Sequence, residues 1–248
     1  MSMLPVAVLA GGVASRLGAL TASTPKSLLP VAGSPFIDWQ LSLLARQGVS
    51  EVILCVGHLG EQIVAAVGDG AHFGLRVRYA FDGATLRGTG GALRGALPLL
   101  GERFFVLYGD SYLPCSFARV QAAHAACGAP ALMTVLRNEG RWGRSNVLFS
   151  GNRLVEYDKH AARPGMAHID FGLSVLSPGV LESMPPEPTF DLADLWRDLS
   201  LRGELAGLEV SERFYEIGSP AGIGDTEHYL RSLRAADDPH RTVLAGSG

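Results

Sequence analysis

Lysine is nearly absent from this chain of 248 residues: Lys26 and Lys159 are the only two among 21 lysine and arginine side chains. Arginine serves everywhere else, so the two lysines suggest positions where a compact ammonium does what a planar guanidinium does not. Codon bias is the competing account, and the neighbourhoods of the two residues decide between them. Cysteine is scarce too. Cys55, Cys115 and Cys127 are odd in number and lack ligand spacing, which argues against a disulfide framework or a zinc site and for reduced, mostly buried thiols. No apolar run is long enough to span a bilayer, so no membrane partner is expected. The opening MSMLPVAVLAGG carries no basic segment ahead of its apolar residues, so no secretory signal is expected and the cytoplasm is the expected compartment. A net charge of −3 leaves no electrostatic footprint for nucleic acid. The seven histidines show no metal-binding spacing, and neither a P-loop nor a GxGxxG dinucleotide fingerprint occurs.

What is present is alternation. Short β-rich apolar runs at 6–10, 51–56, 76–81, 104–109 and 131–137 are separated by helical patterns, the signature of βαβ units and a mainly parallel sheet. SPFIDWQLSLLARQG predicts a helix with Ser34 as N-cap, Pro35 at the first helical position and Gly48 as the stop. Further helices are expected at about 59–67, 90–99 and 116–126. After Gly140 the pattern changes: NVLFSGNRLVEYD predicts a hairpin turning at Gly151-Asn152. A strand at 167–176, a helix from Asp191 to Leu201, strands at 206–210 and 214–217 and a helix at 220–234 follow. The polar segment 235–248 is expected to fray. There is no internal repeat and no clear linker, so 1–234 is expected to form one domain.

The first strand empties into Leu9-Ala10-Gly11-Gly12, which puts flexible backbone at the carboxyl edge of a parallel sheet, where open α/β folds bind ligands. Arg16 then offers a fork suited to phosphate oxygens, and Lys26 adds a point charge ten residues later. FFVLYGDSY sets Gly109 and Asp110 just past another apolar strand, where a carboxylate suits Mg²⁺ and a turn-forming aspartate is the plainer alternative.

The stretch LAGGVASRLGALTASTPKSLLPVAGSPF resembles the signature region of the sugar-1-phosphate nucleotidyltransferases over about 28 residues, with two glycines, both cations and two prolines in register. The resemblance implies a Rossmann-like, mainly parallel (mixed) α/β sheet flanked by helices, of the nucleotide-diphospho-sugar transferase type. It implies a reaction in which a nucleoside triphosphate and a sugar 1-phosphate give a nucleotide-sugar and pyrophosphate, with Mg²⁺ as cofactor. About 1–140 becomes the nucleotide half and about 141–234 the sugar half. Arg16, Lys26 and Asp110 are then the catalytic residues, and Asp110 and Glu216 hold the metal; Glu216, in FYEIGSP, departs from the family's commoner Asp. Leu9, Ala10, Gly11, Gly12, Asp82, Gly88, Thr89 and Gly90 bind nucleotide, with Asp82 accepting from a guanine edge. Gly109, Glu156, Lys159, Asp170 and Gly172 bind the sugar phosphate, Asp170 replacing the commoner Asn; a surface role for Glu156 is equally open. The nearest subgroup is the guanylyltransferases for D-glycero-α-D-manno-heptose 1-phosphate or mannose 1-phosphate, serving surface polysaccharide synthesis. A uridylyltransferase for N-acetylmuramate 1-phosphate or glucose 1-phosphate is the rival, and a non-catalytic nucleotide-sugar-binding regulator is the alternative of another class. A homo-oligomer is compatible with the sequence.

Overall fold

The computed structural model describes residues 2–12, 15–161, 163–184 and 187–237, with the side chains of 15, 16, 19, 236 and 237 outside the described set. In chain order the main elements are β1 (Val6–Leu9), β2 (Pro30–Val31), β3 (Ser34–Pro35), α1 (Phe36–Arg46), β4 (Glu51–Val56), α2 (Gly60–Val67), β5 (Arg76–Phe81), α3 (Gly88–Ala96), β6 (Phe104–Tyr108) and β7 (Ser111–Tyr112). Then come α4 (Phe117–Cys127), β8 (Ala131–Arg137), β9 (Val147–Ser150), β10 (Arg153–Tyr157), β11 (His168–Leu176), α5 (Gly179–Glu182), α6 (Leu192–Leu201), β12 (Leu205–Val210), β13 (Tyr215–Glu216) and α7 (Pro220–Asp237).

Among the described residues, nine strands form one mixed sheet with the order β10-β9-β11-β6-β1-β4-β5, β8 and β12 joining through β11. β5, β4, β1 and β6 are parallel neighbours, in register Leu9 with Cys55 and Tyr108. β11 reverses direction, pairing antiparallel with β6, β8 and β9. Both faces of the sheet are covered, as a largely parallel sheet requires. On β6, Phe105 and Leu107 pack with Leu41, Leu44 and Phe117 on one side, while Phe104 and Val106 pack with Leu195, Trp196 and Leu199 on the other. Cys55 and Cys115 are buried and Cys127 is exposed; all three are free thiols. No described helix is long and apolar enough to cross a membrane.

Most expected elements are present, with local differences. Ser34 does not cap α1. It and Pro35 are extended and pair with Pro30–Val31, and Pro35, at φ −52° and ψ 140°, sits in the cap position with no side-chain cap bond. The cause is a two-residue turn at Ala32 and Gly33, both with positive φ (49° and 82°), which closes a hairpin just ahead of the helix. The helix expected at 90–99 begins at Gly88, and its last residues form a 3-10 turn. The strand expected at 214–217 is only Tyr215–Glu216, and it pairs with β7 instead of the main sheet. The last helix continues to Asp237; the rest of the segment expected to fray lies outside the described residues.

Candidate active site

Two cavities open along the rim formed by the carboxyl ends of the parallel strands, where such sheets bind ligands. The first, about 370 Å³, is walled by Leu9, Ala10, Gly11, Gly12, Lys26, Asp82, Gly88, Thr89 and Gly109, with Cys55, Leu86 and Ala92 among its other lining residues. The second, about 470 Å³, takes Lys159, Asp170, Gly172, Asp191 and Glu216. Thr89, Tyr108 and Asp110 belong to both walls, so the cavities meet at a waist centred on the end of β6.

At that waist Lys26 and Asp110 form an ion pair, Nζ to Oδ2 2.7 Å, with side-chain exposures of 18% and 25%. Lys26 reaches it from a 3-10 turn, Lys26–Leu28, that begins after Pro25. The main chain at Glu216 is tied to the same place: Glu216 lies opposite Ser111 in the β7–β13 pair, and Ile217 N donates to the Asp110 carbonyl at 3.0 Å. The two carboxylates expected to hold a metal therefore stand on adjacent backbone, Asp110 in the turn between β6 and β7 and Glu216 on β13, and both line the second cavity. Two carboxylates without imidazole or thiolate suit Mg²⁺, which keeps several waters and takes phosphate oxygens as further ligands. Among the described residues no group of three His, Cys, Asp or Glu gathers that could hold an ion by itself. The backbone of Arg16 runs in the 3-10 turn Ser15–Thr21, and its side chain lies outside the described residues.

In the first cavity Asp82 is 7% exposed, and burial pushes its carboxyl above the ordinary value despite the amide of Arg87, which donates to Oδ2 at 3.4 Å. A buried acceptor with one weak partner among the described residues suits a ligand edge that donates two hydrogens. Gly88 and Thr89 line this cavity; Gly90 does not. Gly90 is buried behind it, where an added Cβ would stand 2.2 Å from the Phe190 ring, and its amide donates to the Phe190 carbonyl at 3.0 Å. The bare backbone of α3 is what lets segment 187–191 lie against it.

In the second cavity Asp170 holds its own loop: Oδ1 accepts from Gly172 N at 2.9 Å, and its amide donates to Asn146 Oδ1 at 3.0 Å. Gly172, at φ 101°, makes the step between the two registers in which β11 pairs with β8. Burial raises the Asp170 carboxyl to about 6, against the opposing pull of the Gly172 amide and the Lys159 charge. The native protein thus holds this proton more tightly than the unfolded chain between about pH 4 and about pH 6, so stability falls as pH rises through that window. Asp170→Asn is expected to remove that fall, visible as a smaller drop in urea midpoint from about pH 4.5 to about pH 6.5 than in the parent. Equal drops would refute the assignment.

Lys159 Nζ sits 2.9 Å from Asp191 Oδ2 at the mouth of the second cavity. Its loop is pinned by the preceding residue: Asp158 Oδ1 accepts from His160 N and Ala161 N, both at 2.8 Å, and Oδ2 accepts from Arg197 Nε at 3.0 Å. These bonds, the Ala161 amide first, hold the Asp158 carboxyl down at about 2. Gly109 lines the first cavity and not the second, and Glu156 lines neither, pairing instead with Arg163 at 3.2 Å. Sequence reasoning missed Tyr108, Asn146, Tyr157, Asp191 and Arg213, all of which line the second cavity. For Tyr108 a signal existed in its place beside Gly109-Asp110. Asp191 was visible only as a helix start, and nothing local marks the others.

A rim of this shape on a sheet of this order defines the nucleotide-diphospho-sugar transferase fold. The solved structures that share it include a Bacillus anthracis protein assigned as a glucose-1-phosphate thymidylyltransferase and solved with sucrose, at TM-score 0.80 and 22% identity over 92% of this chain and 95% of that one. The HddC protein of Yersinia pseudotuberculosis, solved with GMP-PN, matches at TM-score 0.74 and 20% identity over 92% of this chain and 100% of that one. Residues 6–210 match the MobA-like NTP transferase domain, and the chain belongs to that family. Among curated relatives, N-acetylmuramate alpha-1-phosphate uridylyltransferase of Neisseria meningitidis is 42% identical over 104 residues, 42% of this chain and 45% of that protein. The mannose-1-phosphate guanylyltransferase catalytic subunit beta of Drosophila melanogaster is 27% identical over 94% of this chain and 64% of that protein. The chain thus spans less than two thirds of the length of these two curated relatives.

Proposed function

We propose that this protein transfers a nucleoside monophosphate from a triphosphate to a sugar 1-phosphate, with GTP as donor and mannose 1-phosphate or D-glycero-α-D-manno-heptose 1-phosphate as acceptor. The observation that carries the reading is the waist: one carboxylate, Asp110, faces both cavities, with Lys26 beside it and Lys159 in the second. A sugar phosphate is ionised near neutral pH, so its oxygen attacks the α-phosphorus without a base. The new P–O bond forms as the bond to the β-phosphate bridge breaks, and pyrophosphate leaves with the electron pair. What the protein supplies is alignment and charge neutralisation. Lys26 neutralises phosphate at the waist, Arg16 is assigned the pyrophosphate portion, and Lys159 grips the phosphate of the sugar. Mg²⁺, held by Asp110 and Glu216, supplies further neutralisation of the phosphates when bound.

The buried acceptor Asp82 favours guanine, whose edge offers two N–H groups to a carboxylate. The Asp170 carboxylate in the second cavity disfavours an acceptor carrying an extra acid, such as N-acetylmuramate. The 42% identity to a uridylyltransferase over part of the chain keeps UTP as the second reading. Surface polysaccharide synthesis in the cytoplasm is the setting this chemistry suits. The test is pyrophosphate release with Mg²⁺ from five triphosphates crossed with a panel of sugar 1-phosphates. Release with GTP and either manno sugar supports the full reading, release with UTP replaces the base, and silence with every pair removes the reaction.

A further inference from the structure

Asp191 entered the sequence reading only as the start of a helix, yet it touches both cavity walls. It caps α6, with Oδ1 accepting from Ala193 N at 2.9 Å. The same oxygen accepts from the hydroxyl of Thr89, in the first cavity wall, at 3.0 Å, and that hydroxyl in turn accepts from Leu192 N at 2.8 Å. The other oxygen, Oδ2, is left for Lys159 Nζ at 2.9 Å. Burial pushes the Asp191 carboxyl up, but the Ala193 amide, Lys159 and the Thr89 hydroxyl outweigh it, so the group stays ionised with one oxygen fixed and the other aimed. Lys159 has a long stem on an exposed loop, and the contact with Asp191 Oδ2 is what fixes its head among the described residues.

From this geometry we infer that Asp191 is a positioning residue: it holds the Lys159 ammonium at the mouth of the second cavity to receive the phosphate of the acceptor, and ties that placement through Thr89 to the wall of the nucleotide cavity. The inference rests on the transfer reading above. An ammonium carries three donors, so Lys159 keeps one on Asp191 and turns the others to phosphate oxygens. The glycines of α3 complete the device, because the close approach of Phe190 to Gly90 brings Asp191 within reach of Thr89.

Asp191→Asn separates the charge from the cap, since asparagine caps helices as well as aspartate does and its oxygen still accepts from Ala193 and Thr89. With GTP and mannose 1-phosphate, the variant is expected to raise KM for the sugar phosphate about tenfold, with kcat and KM for GTP within about threefold of the parent. In a Lys159→Ala background the same change is expected to add nothing. An undiminished effect in that background would reduce Asp191 to a helix cap and overturn the inference, as would an effect confined to GTP. If no pair turns over, the transfer reading fails separately, and a second readout decides. Lysine labelled with ¹³C at Cε gives two side-chain signals, because the chain has two lysines. Asp191→Asn is expected to move the Lys159 signal and leave that of Lys26 in place; an unmoved Lys159 signal overturns the inference.

Discussion

Asp110→Asn is expected to lower kcat about a thousandfold while the folded structure persists. The amide keeps the shape of the carboxylate and its place after β6, so packing is unchanged. What goes is the charge of the one carboxylate that lines both cavities, 2.7 Å from Lys26. Three consequences coincide. On the proposed reading, a bound metal would lose one of its two protein carboxylates, Lys26 would lose its ion-pair partner, and the leaving pyrophosphate would lose a neutralised neighbourhood. Raising Mg²⁺ is expected to restore only a small part, because the amide oxygen is a poor substitute for an anionic ligand. The measurement is steady-state pyrophosphate release across a Mg²⁺ series, with circular dichroism melts as the folding control. Turnover near that of the parent would remove Asp110 from the chemistry.

Gly90→Ala is expected to cost about 3 kcal/mol and to lower Tm by about 6–12 °C. The added methyl would stand 2.2 Å from an edge of the Phe190 ring, and the ring cannot withdraw while the Phe190 carbonyl is bonded to the Gly90 amide and its amide to the Arg87 carbonyl at 3.1 Å. Gly101, exposed in a loop with nothing within 4 Å of an added Cβ, provides the control, and Gly101→Ala is expected to change stability by no more than about 0.5 kcal/mol. Differential scanning calorimetry of both variants checks the pair. Equal Tm values would mean that segment 187–191 adjusts freely and that its seat on α3 is loose.

Much of this was legible in the sequence because the periodicities were strong. Apolar runs between helical patterns located β1, β4, β5, β6 and β8 within a residue, and Gly151-Asn152 marked the β9–β10 turn. The first cavity was legible as well, since Leu9 to Gly12, Lys26 and Gly109-Asp110 all follow strands whose carboxyl ends share a rim. What local pattern concealed was docking between distant segments. Nothing around Asp191 says that it lies beside Thr89, 102 residues earlier in the chain, because that contact depends on Phe190 fitting onto a glycine of another helix. Gly90 read as a ligand residue for the same reason: glycine records close approach without recording what approaches. The hairpin ahead of α1 was concealed by Ser-Pro, a sound helix start that the Ala32-Gly33 turn overrides.

The reversal at β11 has a further consequence. A strand running against β6 brings Asp170 to Gly172, in its first half, to the rim where β6 ends, so the two walls of the cleft descend from two separable blocks of sequence. On the proposed reading, the first block would hold the triphosphate side and the second the acceptor side, and the two cavities share Thr89, Tyr108 and Asp110. If that reading holds, acceptor preference can diversify by drift in the later block, through changes at Asn146, Tyr157 or Asp170, while the donor side is inherited intact.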